Sequence, residues 1–341
     1  MSKNSCDNNH YNQVQSIVDA MDSRPKIVQC IQCVGEETLI EACILQVYDQ
    51  VDKILVIEGG TQNKVNAKQA TSDGHSLDRT VEIIKEVKAN KDPDKKIVFV
   101  QIDRAWASLE ELKNTFFQYM QDGDWMLITD TDEFIHPETV SLLREAISIE
   151  PWATEFIPTF YHFWKDRRFI RNPANLGFGV QHQRFIKFHP GMHYQDHPVA
   201  RDKDGVCTYF DPRYLGRRFV LPNFDIFHYS YMNFKQKDIA EKKAFYEKEL
   251  TDPMANNERS MIDMQFTNYT ESKDDLLVSN DIIHPDIVQE QGWYDQLDER
   301  LSTDDFPHFL DAAPYNLEQM LLIWAWRTKP GYSTLFNSVD V

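Results

Sequence analysis

Nothing in this chain offers a membrane span. No apolar run approaches the ~18–20 residues needed to cross a bilayer. The polar opening, residues 1–24, lacks the apolar core of a signal peptide and reads as a loose tail. Cysteine is sparse. The five thiols (Cys6, Cys30, Cys33, Cys43 and Cys207) are odd in number and scattered, unlike a secreted disulfide framework, and a reducing cytoplasm is the expected home. Cys30-x-x-Cys33 has no second cysteine pair to complete a zinc site, and in an extended run its two thiols face opposite ways. His193 and His197 have the spacing of a zinc helix, but Pro190, Gly191 and Pro198 argue against a helix there. Positive charge is in deficit too. The 36 Lys and Arg against 54 Asp and Glu leave −18, which argues against a generic nucleic-acid coat. There is no internal repeat and no low-complexity segment.

What remains is the composition of a soluble globular protein, 42% hydrophobic and 12% aromatic over 341 residues, enough for one large domain or two moderate ones. Its charge is uneven. From Phe160 to Val220 eleven Lys and Arg stand against five Asp, whereas from Lys235 to Val341 ten Lys and Arg stand against twenty-one Asp and Glu. A basic, aromatic middle suits an anionic ligand, with Arg167, Arg168, Arg171 and Arg184 as bidentate donors. Ordinary salt-bridging is the alternative. Trp164 and Tyr194 are candidates to stack on a sugar or base, against a plain role in the core.

The first half alternates two periodicities. Apolar runs at Lys26–Cys33, Lys53–Ile57, Ile97–Ile102 and Trp125–Ile128 read as strands. Between them lie helical patterns: Leu39, Ile40, Cys43, Ile44 and Val47; then Val81, Ile84 and Val87, with Ser76 as cap; then Leu109, Leu112, Phe116 and Tyr119 behind a Ser108/Glu111 capping box. Pro137 opens a further helix through Val140, Leu143 and Ile147. Such alternation predicts an α/β fold, a mostly parallel sheet covered on both faces. Ligands bind outside the carboxyl ends of such strands, which here carry Gly35, Glu58-Gly59-Gly60 and Asp130-Thr131-Asp132. Beyond Pro151 the segments turn aromatic and basic, and Lys237–Leu250 and Leu317–Trp326 read as helices.

The segment Asp124-Trp125-Met126-Leu127-Ile128-Thr129-Asp130-Thr131-Asp132-Glu133-Phe134 carries the most chemistry. In an extended chain Asp130 and Asp132 point to the same side, and paired carboxylates form a hard-oxygen site for Mg²⁺ or Mn²⁺. Such a cation neutralises a departing diphosphate. An acidic turn after a buried strand is the bland alternative.

In this context the chain resembles the GT-A glycosyltransferases, especially family 2, over roughly Lys26 to Tyr231. Lys26-Ile27-Val28-Gln29-Cys30-Ile31-Gln32-Cys33-Val34-Gly35-Glu36-Glu37 and Asp52-Lys53-Ile54-Leu55-Val56-Ile57-Glu58-Gly59-Gly60-Thr61 are similar to that family's opening strand, helix and second strand. Glu58 and the glycine turn depart from its usual aspartate and Gly-Ser-Thr-like turn, where nucleobase and ribose are read. Lys113-Asn114 stands where the family often has Arg-Asn, and Asp130-Thr131-Asp132 matches its metal and donor motif. Phe224-Asp225-Ile226-Phe227-His228-Tyr229-Ser230-Tyr231 is similar to the His-Tyr-Ser-Tyr segment of bacterial core-sugar transferases.

The resemblance implies a nucleotide-sugar donor, a UDP-sugar, with Mn²⁺ or Mg²⁺ as cofactor. Donor binding falls to Gly35, Glu58, Gly60, Lys113, Asp130 and Arg184, and metal binding to Asp130, Asp132 and His228. The base candidates are Asp196 and Asp225, with Glu133 also in a plausible place. Asp196 is preferred, although relatives have His-Glu where Asp196-His197-Pro198 stands. The acceptor hydroxyl is left open among glycan, lipid-linked and nucleic-acid partners. The expected layout is a tail (1–24), a Rossmann-like GT-A catalytic domain (25–234) and a mainly helical, acidic C-terminal extension (235–341). A transferase acting on DNA bases, a non-catalytic carbohydrate-binding protein and a nucleotidyltransferase are the alternatives.

Overall fold

A computed structural model describes residues 24–66, 68–172, 183–196, 199–204, 218–232, 276–280, 282–305 and 308. The chain begins with strand β1 (Ile27–Cys33), helix α1 (Ile40–Leu45), β2 (Lys53–Glu58), a short helix α2 (Gln62–Asn66), α3 (Thr80–Asn90) and β3 (Ile97–Val100). It continues through α4 (Leu109–Phe117), β4 (Trp125–Asp130), β5 (Glu133–Phe134) and α5 (Pro137–Ile149). Then come β6 (Glu155–Arg171), β7 (Phe185–Lys187), β8 (His193–Asp196), β9 (Val199–Arg201), β10 (Arg218–Met232), β11 (Leu276–Val278) and α6 (Asp286–Gln289).

Among the described residues nine strands form one sheet in the order β3-β2-β1-β4-β7-β6-β10-β5, with β11 on β6; β8 and β9 form a separate pair. The strands β3, β2, β1 and β4 are mutually parallel. Period-2 alternation then divides their side chains. Ile27, Ile31, Ile54, Val56 and Leu127 pack with α1, α3 and α5 on one face. Val28, Cys30, Leu55, Ile57, Met126 and Ile128 pack with Leu112 and Phe116 of α4 on the other. Helices therefore cover both faces, as the sequence predicts, and Cys30 and Cys33 fall in different faces.

Ser108 is the N-cap as expected, its Oγ accepting from the Glu111 amide at 3.2 Å, while the Glu111 carboxylate reaches back one residue further, accepting from the Ala107 amide at 2.7 Å. Ser76 does not cap α3. That helix starts at Thr80, whose amide donates to Asp78 Oδ1 at 3.0 Å, and Ser76 is drawn instead to Glu58.

The second half of the sheet is mixed. β7 is antiparallel to both β4 and β6, whereas the long β6 and β10 run parallel with register shifts near Val220 and after His228. Described residues beyond 234 pack against this sheet. β11 pairs antiparallel with β6, and Leu277, Val288 and Trp293 pack with Phe134, Phe163 and Tyr229. The described part of the acidic C-terminal region thus contributes a strand and core side chains, because Phe163, Phe227 and Tyr229 present an apolar face that must be covered. Lys237–Leu250 and Leu317–Trp326 lie outside the described residues.

Candidate metal and donor site

The strand order locates the site. β1 lies between β2 and β4, so successive connections leave it in opposite directions and a crevice opens at the carboxyl ends of β1 and β4. Gln32 and Asp130 are register partners at this switch point, and Gln32 Nε2 donates to Asp130 Oδ1 at 3.1 Å.

β4 ends at Asp130, and Thr131 and Asp132 turn before β5. The two aspartates therefore do not share one face of a strand, as their spacing predicts. The turn sends them to different partners. Asp130 Oδ2 accepts from Arg184 Nη2 at 2.8 Å. Asp132 is held by β10: its carbonyl accepts from the Tyr229 amide at 2.9 Å and its Oδ2 from Ser230 Oγ at 2.6 Å. Its other oxygen, Oδ1, lies 3.8 Å from His228 Nε2. The structure thus brings together Asp132 and His228, which are 96 positions apart in the chain. Among the described residues, no three His, Cys, Asp or Glu side chains form a group that could hold a metal by themselves.

Arg184 is buried and engaged with carboxylates. Its Nε and Nη2 donate to Glu133 Oε2 and Oε1, both at 2.6 Å, besides the bond to Asp130. It fixes acidic side chains at the crevice. Glu133 Oε2 also accepts from the Asp130 amide at 3.1 Å. Burial pushes the Glu133 carboxyl up to about 7, against the pull of Arg184. Lys113 is buried on α4 within the field of Asp130. Desolvation lowers its ammonium to about 8, with Asp130 opposing the shift and Arg184 reinforcing it. Next to it, Asn114 binds the β8 backbone twice, Nδ2 donating to the Tyr194 carbonyl at 2.9 Å and Oδ1 accepting from the Tyr194 amide at 2.6 Å. β8 is therefore anchored beside Lys113. Asp196 ends β8, and its side chain lies outside what the structure describes.

Glu58, Gly60 and Gly35 meet one loop at the strand ends. Glu58 is buried at the end of β2 with its carboxylate saturated. Oε1 accepts from the Ser76 amide and hydroxyl at 2.7 Å each, while Oε2 accepts from Gln101 Nε2 and pairs with His75 Nδ1, both at 3.0 Å. Gly60 is required for close approach, since a Cβ there would stand 2.8 Å from Lys64 Cβ, and its amide donates to the Gly74 carbonyl. Gly35 adopts φ +70, and its amide donates to Ser76 Oγ at 2.9 Å. All three tie the strand ends to the 74–76 loop.

Asp225 is separated from the site by strand alternation. Between Asp225 and His228 the register with β6 is unbroken, so Asp225 and Phe227 face one side of the sheet and Ile226 and His228 the other. Burial raises the Asp225 carboxyl to about 6, but its neighbours are Tyr161 and His136.

Among the described residues the basic middle is largely paired within the protein. Arg168 binds Asp166, Arg218 binds Glu155, Arg167 lies over Tyr294 near Asp295, and Arg171 lies against Trp164 and Tyr231. Tyr194 is core, stacked on Phe117 at 5.4 Å. Gln32, His162 and Ser230 join the site without having been selected from the sequence. For Ser230 the signal was its place beside His228; Gln32 and His162 become visible through strand register.

No protein-family model and no curated protein sequence matches this chain. Solved structures of other proteins bear a low-scoring likeness to it. S. aureus TarS (residues 1–349) matches with a TM-score of 0.40 and 10% identity over 71% of this chain and 73% of that one. Mycobacterium tuberculosis glucosyl-3-phosphoglycerate synthase, in complex with Mn²⁺, UDP and glucosyl-3-phosphoglycerate, matches with 0.38 and 14% over 67% and 80%. The same synthase with Mg²⁺ and UDP matches with 0.29 and 16% over 42% and 47%. These are distant likenesses.

Proposed function

We propose that this chain is a divalent-metal-dependent glycosyltransferase that draws its sugar from a nucleoside diphosphate-sugar. The observation that carries this reading is Asp132 Oδ1 facing His228 Nε2 at 3.8 Å beside the β1/β4 switch point. Two ligand atoms on one cation, with bonds of ~2.0–2.2 Å, stand roughly 3 to 4.2 Å apart, so this pair fits a single small ion. Two protein ligands suffice for such an ion when substrate phosphates complete the shell, and the imidazole favours Mn²⁺ over Mg²⁺. When bound, the cation offsets the charge of the departing diphosphate.

The chain's own residues prepare that site. Ser230 and the Tyr229 amide hold Asp132, while Gln32 and Arg184 fix Asp130. Lys113 is the cation we assign to the donor. Asp196 is the carboxylate we assign to take the proton of an acceptor hydroxyl, because its strand is anchored to α4 by Asn114. The resemblance of the opening strands and of Asp130-Thr131-Asp132 to family 2 supports a UDP-sugar donor. The catalytic unit includes the 276–305 segment, since its side chains complete the core beneath β5 and β10.

The test is Mn²⁺-dependent release of UDP from UDP-sugars by the full chain. Asp132→Ala should lower it by several kcal/mol of barrier, on the order of 10³-fold, with the fold retained. Turnover at the wild-type rate in that variant would sink the reading. Release of pyrophosphate in place of UDP would make the protein a nucleotidyltransferase.

A further inference from the structure

We infer that Gln46 is a positioning residue for the cation site, holding β5, and with it Asp132, from the edge opposite β10; this rests on the metal reading above. Strand β5 is two residues long and pairs Glu133 with His228 and Phe134 with Phe227 of β10. So short a strand gains little from its own ladder. Successive residues of a strand turn their backbone groups to opposite edges. The Asp132 carbonyl goes to the Tyr229 amide of β10, so the Glu133 carbonyl and the Ile135 amide lie on the other edge.

Gln46 follows α1 as its C-terminal cap and is buried. Its side-chain amide occupies that edge. Nε2 donates to the Glu133 carbonyl at 3.1 Å, and Oε1 accepts from the Ile135 amide at 2.9 Å. Both partners are backbone groups of fixed kind, so the amide fits only one way round. A carbonyl and the amide two residues on are what one residue of a parallel neighbouring strand would bind. One side chain thus stands in for a strand. Its base is anchored in turn. Gln46 Nε2 also donates to the Cys43 carbonyl at 3.2 Å, and Gln29 Nε2 of β1 donates to the same carbonyl at 2.9 Å and to Thr129 Oγ1 of β4 at 3.2 Å. The effect on the cation runs through the backbone. Asp132 leads directly into β5, and Glu133, whose carbonyl Gln46 holds, is the register partner of His228. The 3.8 Å spacing of Asp132 Oδ1 and His228 Nε2 is therefore set from both edges of β5.

The experiment uses the full chain with Mn²⁺ alone as probe, binding being read from the loss of the free-ion electron paramagnetic resonance signal. Gln46→Met keeps the side chain's length and removes both bonds to β5, and it should weaken Mn²⁺ binding about 10-fold. Ser108→Ala, which loosens α4 elsewhere, should bind Mn²⁺ as the wild type does and so controls for general destabilisation. A second measurement needs no variant. If opening of the Gln46 bonds weakens Mn²⁺ about 10-fold, bound Mn²⁺ must disfavour that opening by the same factor. Saturating Mn²⁺ should then slow hydrogen exchange of the Ile135 amide about 10-fold more than that of Ile97 in β3, at the other end of the sheet. Slowing at Ile135 no greater than at Ile97 would overturn the inference even if Gln46→Met failed to fold. Equal Mn²⁺ binding by Gln46→Met and wild type, with His228→Ala impaired, would also overturn it while leaving the metal reading intact. Wild-type Mn²⁺ binding by both Asp132→Ala and His228→Ala would remove the metal reading itself.

Discussion

The two halves of the sheet are built by different rules. Strands β1 to β4 run parallel to one another, β1, β2 and β4 are buried on both faces, and the core there consists largely of aliphatic side chains at local, regular spacing. In the second half the long β6 and β10 are parallel with shifted register, the short β7 is antiparallel, and buried polar pairs such as Arg184–Glu133 and Arg218–Glu155 lie among aromatic rings. The first half is a scaffold that repeating patterns specify. The second half supplies further partners: besides Gln32 of β1, which holds Asp130, the two aspartates meet Arg184, Ser230 and His228 across the seam. A buried carboxylate needs such compensation, and β4 has none to give.

The largest stability effect expected from this contrast lies at the seam. Arg184→Ala leaves Glu133 buried without its cation, so it should cost about 3–5 kcal/mol in urea unfolding. A loss below ~1 kcal/mol would mean that solvent reaches Glu133 and that the second half is looser than its geometry implies.

A pH effect of somewhat smaller size sharpens the comparison. His284 is buried with Nδ1 2.6 Å from the Tyr229 hydroxyl, and burial lowers its imidazole to about 3. The unfolded imidazole titrates near 6.5, so below that pH the unfolded chain binds the extra proton and the folded chain does not. The stability that neutral His284 contributes is complete above 6.5 and is lost as pH falls towards 3. Between about pH 6.5 and 4 the loss should be on the order of 3 kcal/mol, measured by denaturant unfolding, and His284→Gln should flatten that slope. An unchanged slope in the variant would place the acid sensitivity elsewhere.

The smallest effect belongs to the regular half. Ser108→Ala removes the α4 cap and should cost about 1 kcal/mol. It should leave Mn²⁺ binding unaltered, because α4 contributes neither Asp132 nor His228. Impaired metal binding in this variant would show that α4 and the seam are coupled through Lys113 and Asn114.

Legibility followed the same division. The strands at 27–33, 53–58, 97–100 and 125–130, the Ser108 cap and the Pro137 helix start were readable, since each depends on side chains a few positions apart. Ser76 shows the limit of such reading. Its capping signal was real as chemistry, but the amide its Oγ accepts is that of Gly35, remote in sequence, while its hydroxyl proton goes to the buried Glu58 carboxylate. The long strands β6 and β10 were hidden because their bulges break the alternation by which a strand is recognised, and β11 because pairing with β6 is not written in its three residues.

By itself the sequence determined the α/β scaffold and the acidic end of β4, because period-2 and period-3.6 patterns and local caps act within one element. It also marked Asp132 and His228 as candidate residues through motif resemblance. Tertiary structure alone decided the partners: that Arg184 serves Glu133 and Asp130, that Glu58 is consumed by the 74–76 loop, that Asp225 faces away and that His162 meets His228. The physical reason is that a polar side chain's role depends on which oppositely charged or hydrogen-bonding group reaches it first in the folded chain, and strand register, set by the whole sheet, controls that distance.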